Sequence, residues 1–427
     1  MQVVSLAHDG RGVARVEGKT VFVDGALPGE TVMASRGRKH RRYDEATLLE
    51  VLEASPDRVQ PGCAHFGVCG GCALQHLDGT RQIEAKQAHV AEQFARVGQV
   101  EPARWLEPLR GPPWGYRRRA RLAAKYVIKK ERVLVGFRER AKPYVADVTA
   151  CPVLAAPVGP LIGELAELVG TLSIRGRLPQ FEVAVGETAT ALVARVLDEP
   201  TAEDRQRLRA FAAARGVEIY LQPGGLDTVA PLDPPATPLR YRLPEFDVEI
   251  TFQPIDFIQV NAAINAQAVS LALELLQPTA SHKVLDLFCG LGNFTLPIAR
   301  RAGRVIGVEG EAGLVARARA NAAANGIENA EFHVADLTAD PAEAPWARGG
   351  FDRVLLDPPR AGAAGVLPLI GRVRPDRIVY VSCHPASLAR DAGVLVNGHG
   401  YRLAAAGVMD MFPHTAHVES IAVFEDS

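Results

Sequence analysis

The chain has 427 residues, 48% apolar and 23% charged, with a net charge of −1. This balance excludes a disordered chain, and the length allows two to four domains. No run of 18 apolar residues occurs, and the N-terminus lacks a charged stretch followed by an apolar one, so neither a membrane helix nor a secretory signal is expected and the cytoplasm is the expected location. Charge is unevenly spread: residues 1–150 hold 25 Lys and Arg against 17 Asp and Glu, and the remainder 23 against 32. A basic N-terminal part of this kind suits a polyanion such as nucleic acid.

Residues 1–54 predict a small all-β barrel of OB type. Short apolar runs (Gly12–Val16, Thr20–Val23, Glu30–Ala34, Ala46–Leu52) are separated by turn residues. A basic loop from Arg36 to Tyr43 reads as a phosphate contact.

The linker at Ser55-Pro56 leads into Cys63, Cys69 and Cys72, spaced C-x5-C-x2-C, with Cys151-Pro152 following 79 residues later. Four thiolates and a proline after the last suit a [4Fe–4S] cluster. Zinc is the rival, although zinc favours two close cysteine pairs. The C-x3-C-x2-C spacing of radical enzymes is absent. A helix is expected over Thr80–Val97, with Ile83, Gln87, Val90 and Phe94 along one side. Trp114–Lys142 carries 11 Lys and Arg, two acids and four interleaved rings, the pattern that single-stranded RNA recognition uses. Residues 150–250 read as the rest of an α+β middle domain without chemistry of its own.

From Val284 the pattern becomes strand, loop, helix. Val284–Ala299 is a strand, a glycine turn and a helix start, and Glu309 closes the next strand 19 residues after Gly290. An acid at that distance takes the hydroxyls of a nucleoside ribose. The short turn with Asp286 suits S-adenosylmethionine better than a pyrophosphate cofactor. Asp336, Asp357 and Cys383 each follow a further strand, so acidic or reactive residues recur on one rim. Each acid alone could be a helix cap, and a lone cysteine is usually packing. Their recurrence at one topological place favours chemistry. Asp357-Pro358-Pro359 also suits amine methylation, but Arg360 stands where those enzymes need a base-clamping ring.

LDLFCGLGNFTLP, VEG, LLDPPRAGAAGV, YVSCHPASLARD and DMFPHTAHVES resemble the bacterial RNA uracil-C5-methyltransferases. The N-terminal barrel resembles a TRAM domain, and the four-cysteine set resembles the members acting on 23S ribosomal RNA. The resemblance implies a multidomain chain: a TRAM barrel at 1–54, an α+β iron–sulfur middle domain with a basic RNA-binding face at 55–250, and a Rossmann-like class I S-adenosylmethionine-dependent methyltransferase domain at 251–427. It implies Cys63, Cys69, Cys72 and Cys151 as cluster ligands and Gln259, Phe288, Asn293, Glu309, Asp336 and Asp357 as S-adenosylmethionine contacts. Cys383 would be the nucleophile on C6 of uracil and Glu419 the base that removes the C5 proton. Pro359 and Asp336 depart from some members, which carry Ala and Asn there. A monomer free of membranes is expected. Two alternatives stay open: transfer RNA as substrate, and a non-catalytic factor that binds or folds ribosomal RNA.

Overall fold

The computed structural model describes residues 1–426. Strands β1 (Val3–Leu6), β2 (Gly12–Val16), β3 (Lys19–Asp24), β4 (Thr31–Lys39) and β5 (Tyr43–Glu53) pair in the order β1-β2-β3-β5-β4. A bridge between Gln2 and Thr31 brings the two edges together. Alternate residues Val21 and Val23 point inward to meet Val3, Ala14, Val32 and Ala46, as period-two strands require. Arg36–Lys39 lie within β4, so the expected basic loop shrinks to the turn between β4 and β5. Fully buried Glu30 accepts 2.5 and 2.9 Å bonds from Arg58, which fastens the barrel to the linker.

Helix α1 (Gly79–Gln93) starts at Asp78, whose carboxylate accepts the Thr80 and Arg81 amides. Its buried stripe is Gln82, Ile83, Lys86 and Val90, followed by Phe94. Two polar residues therefore lie where an apolar face was expected, and Gln87 is only half-buried. Strands β6 (Arg119–Val127) and β7 (Arg132–Gly136) come next, then α2 (Ile162–Thr171), β8 (Gln180–Val185), β9 (Thr190–Arg195), α3 (Ala202–Arg215), β10 (Glu218–Gln222) and β11 (Ala230–Pro231). They form one sheet in the order β11-β10-β9-β8-β6-β7.

The rings of the basic stretch do not form the expected stacking platform. Tyr116 is buried and donates to the Pro413 carbonyl, Trp114 lies 4.1 Å from the His414 ring, and Arg175 covers Tyr126. Its cations are partly spent as well: Arg121 pairs with Glu182, and Lys130 and Arg132 share Asp147.

A hairpin of β12 (Leu239–Leu243) and β13 (Val248–Phe252) leads to α4 (Ala262–Leu276). Then come β14 (Lys283–Leu287), α5 (Thr295–Ala299), β15 (Arg304–Glu309), α6 (Ala312–Ala324), β16 (Ala330–Val334), β17 (Arg353–Leu356), α7 (Leu367–Val373), β18 (Arg377–Ser382), α8 (Pro385–Gly393), β19 (Tyr401–Met409) and β20 (Glu419–Asp426). The sheet order is β16-β15-β14-β17-β18-β20-β19, with β20 antiparallel to both neighbours. Strand order reverses between β14 and β17, where open α/β sheets bind ligands.

No break in the core falls at residue 250. Tyr116, Val153 and Ala184 share a cluster with Val379 and Ile421, and Ile83, Val90 and Phe94 pack with Tyr380 and Leu388. The Ala103, Leu106 and Leu109 amides donate to carbonyls of β19, so this segment extends the C-terminal sheet. No described helix is long and apolar enough to cross a membrane.

Candidate active site at the sheet rim

The carboxyl end of β14 turns sharply. Phe288 takes φ +66, a left-handed conformation that costs a large side chain energy, and its amide and that of Cys289 donate to the Val308 carbonyl. Glu309 accepts the Gly290 amide at 3.2 Å on one oxygen and the Gly310 and Glu311 amides on the other. One carboxylate thus staples the loops after β14 and β15. Below them Asp286 is fully buried. Thr295 donates to one of its oxygens at 2.5 Å, and the other has no partner. Burial pushes Asp286 up to about 8, helped by the charges of Asp357 and Glu309.

The other expected cofactor contacts differ in kind. Asn293 is tied to Tyr241 and Asn265 by bonds of 2.9–3.0 Å, so its amide chiefly holds the loop against α4 and β12. The half-buried Gln259 accepts from Arg118 through its carbonyl at 3.3 Å. Asp336 is exposed and caps its own turn, accepting the Thr338 amide and hydroxyl at 2.8 and 2.6 Å. Asp357 is half-buried, and burial alone pushes it up to about 7.

Cys383 and Glu419 meet because of strand register. Ser382 of β18 pairs with Ser420 of β20, and the Ser420 hydroxyl donates to the Ser382 carbonyl at 3.2 Å. Cys383 directly follows Ser382 and Glu419, the first residue of β20, directly precedes Ser420, so the register carries both to the same rim, where the Glu419 charge acts on the Cys383 thiol. Glu419 is buried, and that burial followed by the Asp357 charge pushes its carboxyl well above the usual range. Among the described residues neither Glu419 nor Asp357 accepts a side-chain hydrogen bond. Burial, then Glu419 and Asp357, push the Cys383 thiol up to about 11, and Arg360 opposes the shift.

The loop carrying Arg360 is itself held. Buried Asp391 accepts from Tyr380 and from the Ala363 amide, both at 2.7 Å, and Ser387 donates to the Arg360 carbonyl at 2.6 Å. Neither Asp391 nor Ser387 stood out in the sequence, because a polar residue on a helix face carries no mark of what it will cap.

Cys63, Cys69, Cys72 and Cys151 line one cavity of about 230 Å³ together with Phe137 and His417. Burial and then mutual repulsion push Cys72 up to about 12, and burial raises Cys69 and Cys151 too. Among the described residues no three His, Cys, Asp or Glu side chains are grouped to hold a single metal ion. His414 is buried against Trp114 with both ring nitrogens unpartnered.

The C-terminal sheet is doubly wound α/β, with a thiol and several carboxyls gathered at one rim. A protein-family model described as tRNA (Uracil-5-)-methyltransferase matches residues 191–344 and 346–426, and a TRAM domain model matches 2–35. The chain is 56% identical over 424 residues to the 23S rRNA (uracil(1939)-C(5))-methyltransferase RlmD of Methylococcus capsulatus, covering 99% of this chain and 96% of that one. The protein of the same description from Stenotrophomonas maltophilia is 53% identical over 427 residues, covering 99% and 96%. The crystal structure of Pyrococcus abyssi tRNA (uracil-54, C5)-methyltransferase with S-adenosyl-L-homocysteine superposes with a TM-score of 0.76 at 26% identity, covering 99% of both chains. The chain belongs to the RNA uracil-C5-methyltransferase family.

Proposed function

We propose that this enzyme transfers a methyl group from S-adenosylmethionine to C5 of one uracil in 23S ribosomal RNA, at the position named for its relatives. The observation that supports the reading is the β18–β20 register, whose Ser382–Ser420 pair is flanked by Cys383 and Glu419 at the rim. C5 of uracil is a poor nucleophile. The Cys383 thiolate adds to C6; the C5=C6 π pair shifts into a C4=C5 bond and the C4=O π pair moves onto oxygen as an enolate, which makes C5 nucleophilic. S-adenosylmethionine supplies an electrophilic methyl on a sulfonium that departs as a neutral thioether. The Glu419 carboxylate then takes the C5 proton, the C5–H pair re-forms the C5=C6 bond, and Cys383 leaves as thiolate. A placed base contributes roughly 10²–10⁴-fold.

Glu309 would take the ribose hydroxyls, and Gln259, Phe288, Asn293, Asp336 and Asp357 would complete the donor site around the loops after β14, β16 and β17. The target base must leave its stack, at least cost in unpaired RNA. A cavity of about 770 Å³ runs between the barrel and α1 and reaches Ala416 and Val418, next to the base. It would give RNA a path from the barrel toward the rim.

The four-cysteine cavity would hold the [4Fe–4S] cluster. The support is the donor set: four cysteine thiols that line one cavity are the ligands such a cluster takes. Anaerobically purified protein should carry iron, sulfide and a broad visible band; protein lacking all three would refute this.

Mass mapping after reaction with unmodified 23S and transfer RNA transcripts tests the substrate. One 5-methyluridine in 23S RNA is expected. Modification of transfer RNA alone would overturn the choice, and no modification of either would leave the RNA-folding reading standing.

A further inference from the structure

Nine residues separate the end of β19 from Glu419, and α1 and the cysteine loop fasten this segment together with Tyr116, which donates to the Pro413 carbonyl, and Leu109, whose carbonyl accepts the Asp410 amide. Gln82 is 3% exposed. Its side-chain oxygen accepts the His414 amide at 2.9 Å, and its nitrogen donates to the Leu74 and Leu77 carbonyls at 3.0 and 2.8 Å. The Ala73 and Leu74 amides, immediately after Cys72, both donate to the His414 carbonyl at 2.9 Å. Lys86, one turn along α1 and 4% exposed, donates to Asp410 at 2.8 Å and to the Phe412 carbonyl at 3.0 Å. Buried polar groups of this kind are costly unless every bond is made, so the clamp has one geometry.

We propose that Gln82 and Lys86 are positioning residues for Glu419, acting through the 410–414 segment to set the base against C5. The inference rests on Glu419 being the base. A displacement of about 1 Å at a reacting group can cost on the order of a hundredfold in rate. Thiol addition at Cys383 uses β18 and α8, which α1 supports through Ile83, Val90 and Phe94 and not through the hydrogen bonds of Gln82 and Lys86, so proton removal should suffer most.

The test is Gln82→Met, which keeps the volume and removes both hydrogen-bonding roles, with Lys86→Met as an independent second variant. Uracil RNA and its 5-deuterated form serve as substrates. For each variant kcat should fall roughly tenfold to a hundredfold. The rate of covalent adduct formation should change less than about threefold, the adduct should accumulate at steady state, and the deuterium isotope effect on kcat should rise above that of the parent enzyme. Gln82→Glu, which keeps the acceptor for the His414 amide but not both donors, should restore part of kcat. Wild-type turnover in both variants would overturn the proposal, as would a fall in kcat with neither adduct build-up nor a larger isotope effect. A Glu419→Gln variant run alongside separates the two readings. If it turns over freely the base assignment fails; if it traps adduct while the clamp variants behave as wild type, only the clamp fails.

Discussion

Cys383 stands between two carboxyls that want protons and one guanidinium that favours its anion. Both Cys383 and Glu419 must lose protons before they act, and both are pushed upward. The rate of adduct formation in single turnover should therefore climb from pH 6 to pH 9, and a flat or falling profile would contradict this. Asp286 gives a stability counterpart. Its folded value of about 8 lies above the ordinary carboxylate value of roughly 4. The folded protein holds the proton longer, so this group favours folding below about pH 4 and that benefit is lost as pH rises to about 8. Asp286→Asn should raise the melting temperature at pH 8 and leave it little changed at pH 4; equal shifts at both would refute the assignment. At this scale the sequence makes Glu309, Asp357 and Cys383 legible, because strand ends follow from apolar runs. Glu419 is legible only by resemblance: an antiparallel return strand has a register that no local pattern states.

Among the elements, the loop from Asp357 to Ala363 shows how backbone shape serves the rim. Gly362 has φ +84, and a Cβ there would lie 2.5 Å from the Arg390 guanidinium and 2.6 Å from Asp391. Both the conformation and the space require glycine. Gly362→Ala should cost about 1–3 kcal/mol in stability and displace Arg360 from Cys383. Thermal melts and adduct-formation rates check this, and parent values in both would contradict it. Helix α1 teaches the opposite lesson about legibility. Its period announced a helix, but the side it marked, Ile83, Gln87, Val90 and Phe94, did not include Gln82 and Lys86. They are buried because the partner surface is backbone from the 410–414 segment, which helical period cannot reveal. Gly98 lets the turn after α1 sit on α8, where a Cβ would meet the Ala389 carbonyl at 2.5 Å.

Across the whole molecule, three large sheets and a two-stranded hairpin bring together a barrel with its own small core, a thiol-lined cavity and a doubly wound sheet. Composition and charge asymmetry foretold the basic half but not how it is spent. Many cations of β6 and β7 are paired internally, whereas Arg38, Lys39, Arg41 and Arg42 at the barrel hairpin are exposed and, among the described residues, without ion-pair partners. Replacing all four with Ala should reduce the slope of log K against log salt by roughly 3, at about 0.7 per single-strand phosphate, and leave kcat at saturating RNA nearly unchanged. An unaltered slope would remove the hairpin from the RNA interface. The central claim is a covalent complex of enzyme and RNA joined at one thiol and resolved by one carboxylate. Its most direct test is intact-mass and peptide mapping of Glu419→Gln after incubation with RNA and S-adenosylmethionine. The account predicts a stable methylated uridine adduct on Cys383 that is absent when Cys383 is also replaced by Ala. Free turnover without adduct, or an adduct on another residue, would contradict it.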